Sequence, residues 1–480
     1  MPLPASRCCW TLVALLAAGN AAIATAKSAK PAAEAAPVSA RSTANVAAQV
    51  RDRALAGASP AWDVLESLTT DVGARPTGSP AMENARDWAL ARLRALGFSN
   101  VHLEPFTKEH AWVRGAESAA VTAPVERPLA IIGLGGSVPT PPGGIEAEAV
   151  VFSTLEALTA APPGSLAGRI AIVNQPMTRM QDGDGYGPAV LARATGPSIA
   201  AARGAIAFLT RSITTGTARA PHTGALAYAD GVPKIPAAAL GVADADLLSR
   251  LVARGNAPRL HLSLQSSEIT AAPAWNVVGE IPGREPSAGT IVIGGHLDSW
   301  DPGEGAIDDG AGVAITLAAA RLIGELPVKP RRTVRVVLWG SEETGGSGDA
   351  YAASHAADAA TIALAGESDL GSGRILRLLL PQMPTDDPLR RTLAVALAPL
   401  RIYIGAGAAK DAGSDVEPLQ AAGVPVFEYT QDASVYFDIH HSADDTLDKV
   451  SRADLEQNVA AWAVLLAVIG DSTRDLRKPE

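Results

Sequence analysis

The stretch that decides the fold is Thr290-Ile-Val-Ile-Gly-Gly-His296-Leu-Asp298-Ser-Trp300. Thr290 to Ile293 is an unbroken β-branched run, which suits a strand buried on both faces. Two glycines follow, and a histidine and an aspartate stand just beyond them. Gly305-Ala-Ile-Asp308-Asp309-Gly-Ala-Gly312 then opens a helix from Ala311, and Thr333-Val-Arg-Val-Val-Leu-Trp339 reads as the next strand. Strands alternating with helices imply an α/β sheet covered on both faces. Sheets of that kind carry their functional residues on loops just past the strand ends.

Upstream, Val46, Val50 and Ala54 recur at helical spacing, and Trp62 to Leu68 continue in kind. Pro80 opens a third helix, with Gly97 where a C-terminal cap belongs. Val101 to Phe106 alternates like a strand. Between about 120 and 265 the texture changes, as Pro/Gly clusters (Pro139 to Gly144, Pro162 to Gly164) separate short apolar strands such as Arg169 to Val173. This stretch has no cluster of ligand-type residues, so it reads as an inserted, β-rich domain that narrows access to the site. The organisation expected is a signal peptide at 1–26, a linker at 27–40, the N-terminal part of the catalytic domain at 41–119, the insert at 120–265 and the catalytic domain at 266–480.

Arg7, the apolar run Trp10 to Ala18 and the small-residue site Ala24-Thr25-Ala26 have the form of a secretory signal. The protein is therefore expected to be secreted or periplasmic. That apolar run is too short to cross a bilayer, and no run of about 20 apolar residues follows it. Cys8 and Cys9, the two cysteines of the chain, precede the cleavage site, so disulfides and thiol chemistry are excluded from the mature protein. Of the 480 residues, 47% are hydrophobic and 19% charged, which allows a sizeable core and excludes disorder for most of the chain. A net charge of -10 without any Lys/Arg-rich run argues against a nucleic-acid partner.

The chemistry stands at the strand ends. After His296 and Asp298 come Asp308-Asp309, then Glu342-Glu343 past the next strand, Glu367-Ser-Asp369 past Thr361 to Ala365, and His440-His441 followed by Asp445. Singly, each has an ordinary structural reading: a helix cap, a solvated loop, surface histidines. Together they supply nitrogen and oxygen ligands without sulfur, which suits zinc, and enough of them for two ions. Two ions about 3.5–4 Å apart need a shared carboxylate, and the water they hold has a pKa lowered towards ~7. Adjacent glutamates diverge, so one can bind metal while its neighbour takes the proton from that water. Asp298 could accept the ring N–H of His296 and fix its tautomer.

These motifs, His-Leu-Asp-Ser-Trp-Asp, Gly-Ala-Ile-Asp-Asp-Gly-Ala-Gly, Glu-Glu, Glu-Ser-Asp and His-His-Ser-x-x-Asp-Thr, resemble those of the co-catalytic di-zinc exopeptidases. Within that family the Asp-Ser-Trp-Asp and His-His-Ser forms look most like the carboxypeptidase Q branch. The likeness is strong over about 275–470, and 120–265 more weakly resembles a protease-associated domain. The resemblance implies a mixed central sheet with helices on both faces and two Zn2+ per chain. It assigns His296 and Asp369 to one ion, Glu343 and His441 to the other, and Asp308 to both. It also makes Glu342 the general base and the peptide after Asp308 cis.

The reaction implied is hydrolysis of dipeptides or short peptides through a metal-bridged hydroxide. The alternatives are an aminopeptidase acting on longer peptides, a single-zinc acyl transferase of the glutaminyl-cyclase type, and a non-enzymatic receptor on the same fold. A carboxypeptidase needs a cation for the terminal carboxylate, for which Lys410 and Arg374 are candidates. An aminopeptidase needs an acceptor for the free amine, for which Glu367, Asp411 and Asp415 are candidates, and His440 is a further substrate-side candidate. The expected partner is a peptide, with no nucleic acid and no membrane span; a homodimer is left open.

Overall fold

The β-branched runs pair as their pattern requires. Thr290–His296 lies between Thr333–Trp339 and Ile362–Glu367 and runs parallel to both. On the far side of Thr333–Trp339, Ser267–Ile281 pairs antiparallel, and Ser99–Val113 pairs antiparallel with it in turn, which makes the sheet mixed. The computed structural model describes residues 38–478. The signal peptide lies outside the described residues, as does the linker up to residue 37; residues 38–40 already belong to the first helix, Val38–Leu55.

Side chains alternate across the sheet with the period of two that a strand imposes. Ile291, Ile293, Val334, Val336 and Leu338 join one core, against the helices Ala311–Gly324 and Arg452–Asp471. Val292, Val337 and Trp339 join the other, against Tyr351, Val416 and Leu419. Helices therefore cover both faces, as expected. Among the described residues, Arg452–Asp471 is the helix long and apolar enough to cross a membrane, and it lies packed inside the fold. Its Trp462 is fully buried against the rings of Phe427 and Tyr429, at 5.1 and 5.6 Å between centroids.

The chain leaves this sheet after Val113 and rejoins it at Ser267. Between these points, strands from Glu117 to Leu264 build an eight-stranded sheet of their own, with apolar clusters on both faces. None of them joins the catalytic sheet. The unit is rich in strands, and it also carries helices that the sequence reading did not include. Ile145–Phe152, Ile170–Val173, Ala207–Arg211 and Ala237–Leu240 are parallel neighbours, and the helices Tyr186–Ala201 and Val242–Ala253 make this part mixed α/β. Tyr186–Ala201 escapes a sequence reading because Pro188, Gly196 and Pro197 look like breakers. Gly196 is there for close packing, since a Cβ would stand 2.4 Å from the Phe208 ring.

Trp462→Ala should cost about 3–5 kcal/mol of stability, the usual range for an aromatic deleted from a core. Val395→Ala, at a position 72% exposed, should stay within about 0.5 kcal/mol of the parent. Urea denaturation of the two variants tests the difference.

Candidate metal centre

Parallel strands in register end together, so the residues past their C-termini share one edge. His296, the last residue of its strand, is in register with Trp339, and Glu342 and Glu343 follow Trp339 on the next turn. Asp369 follows Ile362–Glu367, Asp308 precedes the helix Ala311–Gly324, and His441 follows the short turn Tyr436–Asp438. His296 Nε2 lies 3.0 Å from Asp308 Oδ1 and 3.4 Å from Asp369 Oδ1. His441 Nε2 lies 3.1 Å from Asp308 Oδ2 and 3.0 Å from Glu343 Oε2. Asp308 thus stands between the two histidines, and each histidine turns its Nε2 towards a second carboxylate.

The adjacent pairs divide their work. Asp309 turns away from the centre and accepts the N–H groups of His296 and Gly312, at 3.1 and 2.9 Å. Asp309 thus serves the backbone at the helix start, while Asp308 faces the histidines. The Asp308–Asp309 peptide is cis. Glu342 points to His296 and Asp369, whereas Glu343 points to His296 and Asp308. His440 stacks on His441 with centroids 3.5 Å apart, and its Nε2 lies 3.4 Å from Asp308 Oδ2, which puts it with Asp308 and His441 in a group that could hold a metal.

Asp298 departs from expectation. His296 Nδ1 lies 2.9 Å from the Asp298 backbone carbonyl, while the carboxylate is 3.6 Å away. The carboxylate instead accepts the backbone N–H of Glu342 at 3.0 Å and the hydroxyl of Thr77 at 2.8 Å. The chain turns too tightly here for both groups to reach one ring nitrogen. Arg75, fully buried, fastens the loops on either side by donating to the carbonyls of Leu297, Glu304 and Gly305. Neither Thr77 nor Arg75 stands out in the sequence, because nothing local marks them.

The electrostatics are those of carboxylates removed from water. Burial alone would push Asp308 up, yet His440, His296 and His441 hold it well below the ordinary carboxylate range. Burial and Asp369 push Glu342 well above that range. Burial lifts Glu343 to about 7. His296 is disfavoured as a cation by burial, but Asp369, Asp298 and Asp308 raise it well above the ordinary imidazole value. Asp308 Oδ2 and Glu343 Oε1 are buried without a hydrogen-bond partner. Orphaned carboxylate oxygens beside imidazole Nε2 atoms, with no thiolate, fit a divalent cation of the zinc type.

The centre opens into a cavity of about 1070 Å³. Of the substrate-side candidates, Glu367, Lys410, Asp411 and His440 line it. Arg374 does not, and pairs with Asp454 at 3.5 Å. Asp415 lies behind the wall, held by Ser347 Oγ at 2.6 Å. Tyr186 and Arg193, from the helix Tyr186–Ala201, also line the cavity, and the sequence does not point to them. An arginine in an Ala-rich helix gives no local signal of a site.

A mixed sheet whose strand ends deliver imidazoles and carboxylates to one cation-seeking centre is the build of a metallo-exopeptidase, a hydrolase of peptide bonds. The family model described as Peptidase family M28 matches residues 276–466. The chain is 37% identical over 413 residues to carboxypeptidase Q of Bos taurus, covering 85% of each sequence. A crystal structure described as a Peptidase M28 precursor, from Shewanella amazonensis SB2B, superposes with a TM-score of 0.89 at 40% identity, over 92% of this chain and 99% of that one. An aminopeptidase from Aneurinibacillus sp. strain AM-1, at 22% identity and a TM-score of 0.60 over 88% and 96% of the two chains, shares the fold. The chain belongs to peptidase family M28.

Metal binding should be linked to protons. In the metal-free chain Glu343 takes up its proton as pH falls through about 7, so protons compete with the metal below that pH. Ionising a carboxyl with a raised pKa costs the folded state free energy, a penalty that grows as pH rises from the ordinary carboxylate range towards 7. The gap in Tm between zinc-loaded and metal-free protein should therefore be wider at about pH 7.5 than at about pH 5.5. Scanning calorimetry at the two pH values measures it.

Proposed function

We propose that this chain is a di-zinc exopeptidase that hydrolyses dipeptides or short peptides from their carboxyl end, in the manner of carboxypeptidase Q. One observation carries the reading: the two imidazoles and their carboxylates meet around Asp308, with orphaned oxygens facing inward. His296 and Asp369 would hold one ion, Glu343 and His441 the other, and Asp308 both. Zinc at such a site polarises the scissile carbonyl and lowers the pKa of water towards ~7. Glu342, left out of the ligand set, takes the water's proton at its carboxylate and gives it to the departing amine. Asp298 holds the backbone N–H of Glu342 and so positions that carboxylate. The first 26 residues support export of the mature enzyme.

Recognition of the carboxyl end is supported by Arg193. Its guanidinium donates to the carbonyls of Ala225 and Thr223 and to the Tyr186 hydroxyl, at 3.1, 3.2 and 2.9 Å. All three acceptors are neutral. Arg193 is 6% exposed at the wall of the cavity, and no carboxylate among the described residues forms an ion pair with it. A buried cation without a counter-charge favours an anionic ligand. The second reading, an aminopeptidase acting on longer peptides, draws on Glu367, whose Oε1 is buried without a hydrogen-bond partner at the same cavity.

A free dipeptide compared with its N-acetylated and C-amidated forms separates the two. Carboxyl-end recognition predicts that the acetylated form is cleaved and the amide is not; the reverse result belongs to an aminopeptidase. Arg193→Met should shrink the preference for free acid over amide by about 10- to 100-fold, the worth of one charged hydrogen-bonded contact.

Glu342→Gln keeps the shape of the side chain and removes the base. It should retain both zinc ions while kcat falls by about 10²–10⁴. Glu343→Ala removes a ligand and should lose zinc together with activity. Metal analysis beside kinetics on the two variants tests the division, and the opposite pattern would reverse the assignment of the pair.

A further inference from the structure

His441 adopts a left-handed backbone conformation, φ +59°, which a residue with a Cβ enters only when its surroundings hold it there. The hold comes from the connection between the strands Ala207–Arg211 and Ala237–Leu240 of the eight-stranded unit. The backbone N–H of Thr223 donates to the His441 carbonyl at 2.9 Å, and His441 Nδ1 faces the Thr223 carbonyl at 3.4 Å. One residue earlier, His222 Nδ1 lies 2.5 Å from the His440 carbonyl. A carbonyl can only accept, so that nitrogen carries the proton. His222 is 3% exposed and Thr223 0%.

This two-residue segment is itself anchored. The backbone N–H of His222 donates to Ser212 Oγ at 2.9 Å, and the Thr223 hydroxyl donates to the Gly133 carbonyl at 2.8 Å. Arg193 Nη1 reaches the Thr223 carbonyl from behind at 3.2 Å. Three contacts therefore run from this buried two-residue segment to His440-His441, two to backbone carbonyls and one to the ring nitrogen opposite Nε2. An acceptor at Nδ1 fixes which nitrogen carries the proton and how the ring is aimed, and so governs the opposite nitrogen as a ligand.

We propose that residues 222–223 are the outer support of the metal site at His441, and that His222 is a positioning residue for it. The unit inserted between Val113 and Ser267 then completes the metal centre as well as walling the cavity. The inference rests on the reading above that His441 is a metal ligand.

The test uses full-length protein equilibrated with zinc at buffered free concentrations, with bound zinc per chain and Tm as readouts. His222→Ala frees the His440 carbonyl and loosens the backbone that leads into His441, so it should weaken one of the two ions by up to the roughly 10-fold that marks the low end for a lost outer partner, and leave the other at its parental affinity. His222→Asn should restore most of the loss, because its side-chain amide N–H stands where Nδ1–H stood. His222→Gln, one bond longer, should not. Parental affinity for both ions in His222→Ala overturns the proposal, and so does an equal loss of both. Should His222→Ala fail to fold, the Asn and Gln variants decide: equal zinc affinities overturn it. His441→Ala keeps the two readings apart. If that variant retains both ions, the ligand assignment fails; if it loses one while His222→Ala loses none, only the present inference fails.

Discussion

Crowding of carboxylates in a place poor in water is the constraint on which the rest of this structure depends. Asp308, Glu342, Glu343, Glu367 and Asp369 all reach the edge where the parallel strands end. Two like charges about 4 Å apart repel by roughly 4 kcal/mol at the effective dielectric of a protein surface. The metal-free chain answers with protons: burial drives Glu342 and Glu367 well above the usual carboxylate range and Glu343 to about 7. His296 and His441 answer with charge, each raised above the ordinary imidazole value despite burial, by Asp369 and Glu343 respectively. A divalent cation of the zinc type relieves the same repulsion without a proton.

Such a centre holds only if its ligands cannot turn away from one another, and much of the surrounding polar structure serves that end. Asp445 Oδ1 accepts the N–H groups of Ala306 and Ile307 at 2.9 and 2.7 Å, which fixes the loop that carries Asp308. Lys108 Nζ donates to the carbonyls of Thr344 and Gly345 at 2.5 and 2.7 Å, tying down the turn that carries the two glutamates. Arg75 joins the loop after His296 to the loop before Asp308. Each of these groups is remote in sequence from what it holds, and Asp445 and Arg75 satisfy backbone groups that would otherwise be buried unpaired.

The loop that ends in His441 is treated differently, because the catalytic sheet gives it little support. It is stitched to the eight-stranded unit: Thr214 Oγ1 donates to the Phe437 carbonyl at 2.6 Å, Arg179 pairs with Asp438 at 2.7 Å, and Tyr186 stacks on Phe437 at 4.9 Å between centroids. The His441 side chain on this loop is only as well placed as the seam between the two sheets. That seam also forms one wall of the cavity, so access and the placement of His441 are set by the same contacts.

That His296, Glu342, Glu343 and Asp369 stand just past strand ends was legible in the sequence for a local reason, whereas Asp308 and His441 were singled out by the family resemblance. A β-branched run declares its strand, and the residues just past the run must lie at the end of that strand. Helices on both faces of the sheet came from the same periodicity, while its mixed strand direction was an implication of the family resemblance. What the sequence left open was decided at long range. It could not show that Asp298 offers its carbonyl to His296 and its carboxylate to Glu342, since both groups belong to one residue. Nor could it show that the insert is mixed α/β, because Gly196 and Pro197 read as breakers until Phe208 packs against them. Arg193, His222 and Thr223 carry no motif, and they matter because 218 residues separate His222 from the carbonyl it holds. Periodicity records which way a side chain faces on its own strand; only packing of the two sheets decides what it meets there.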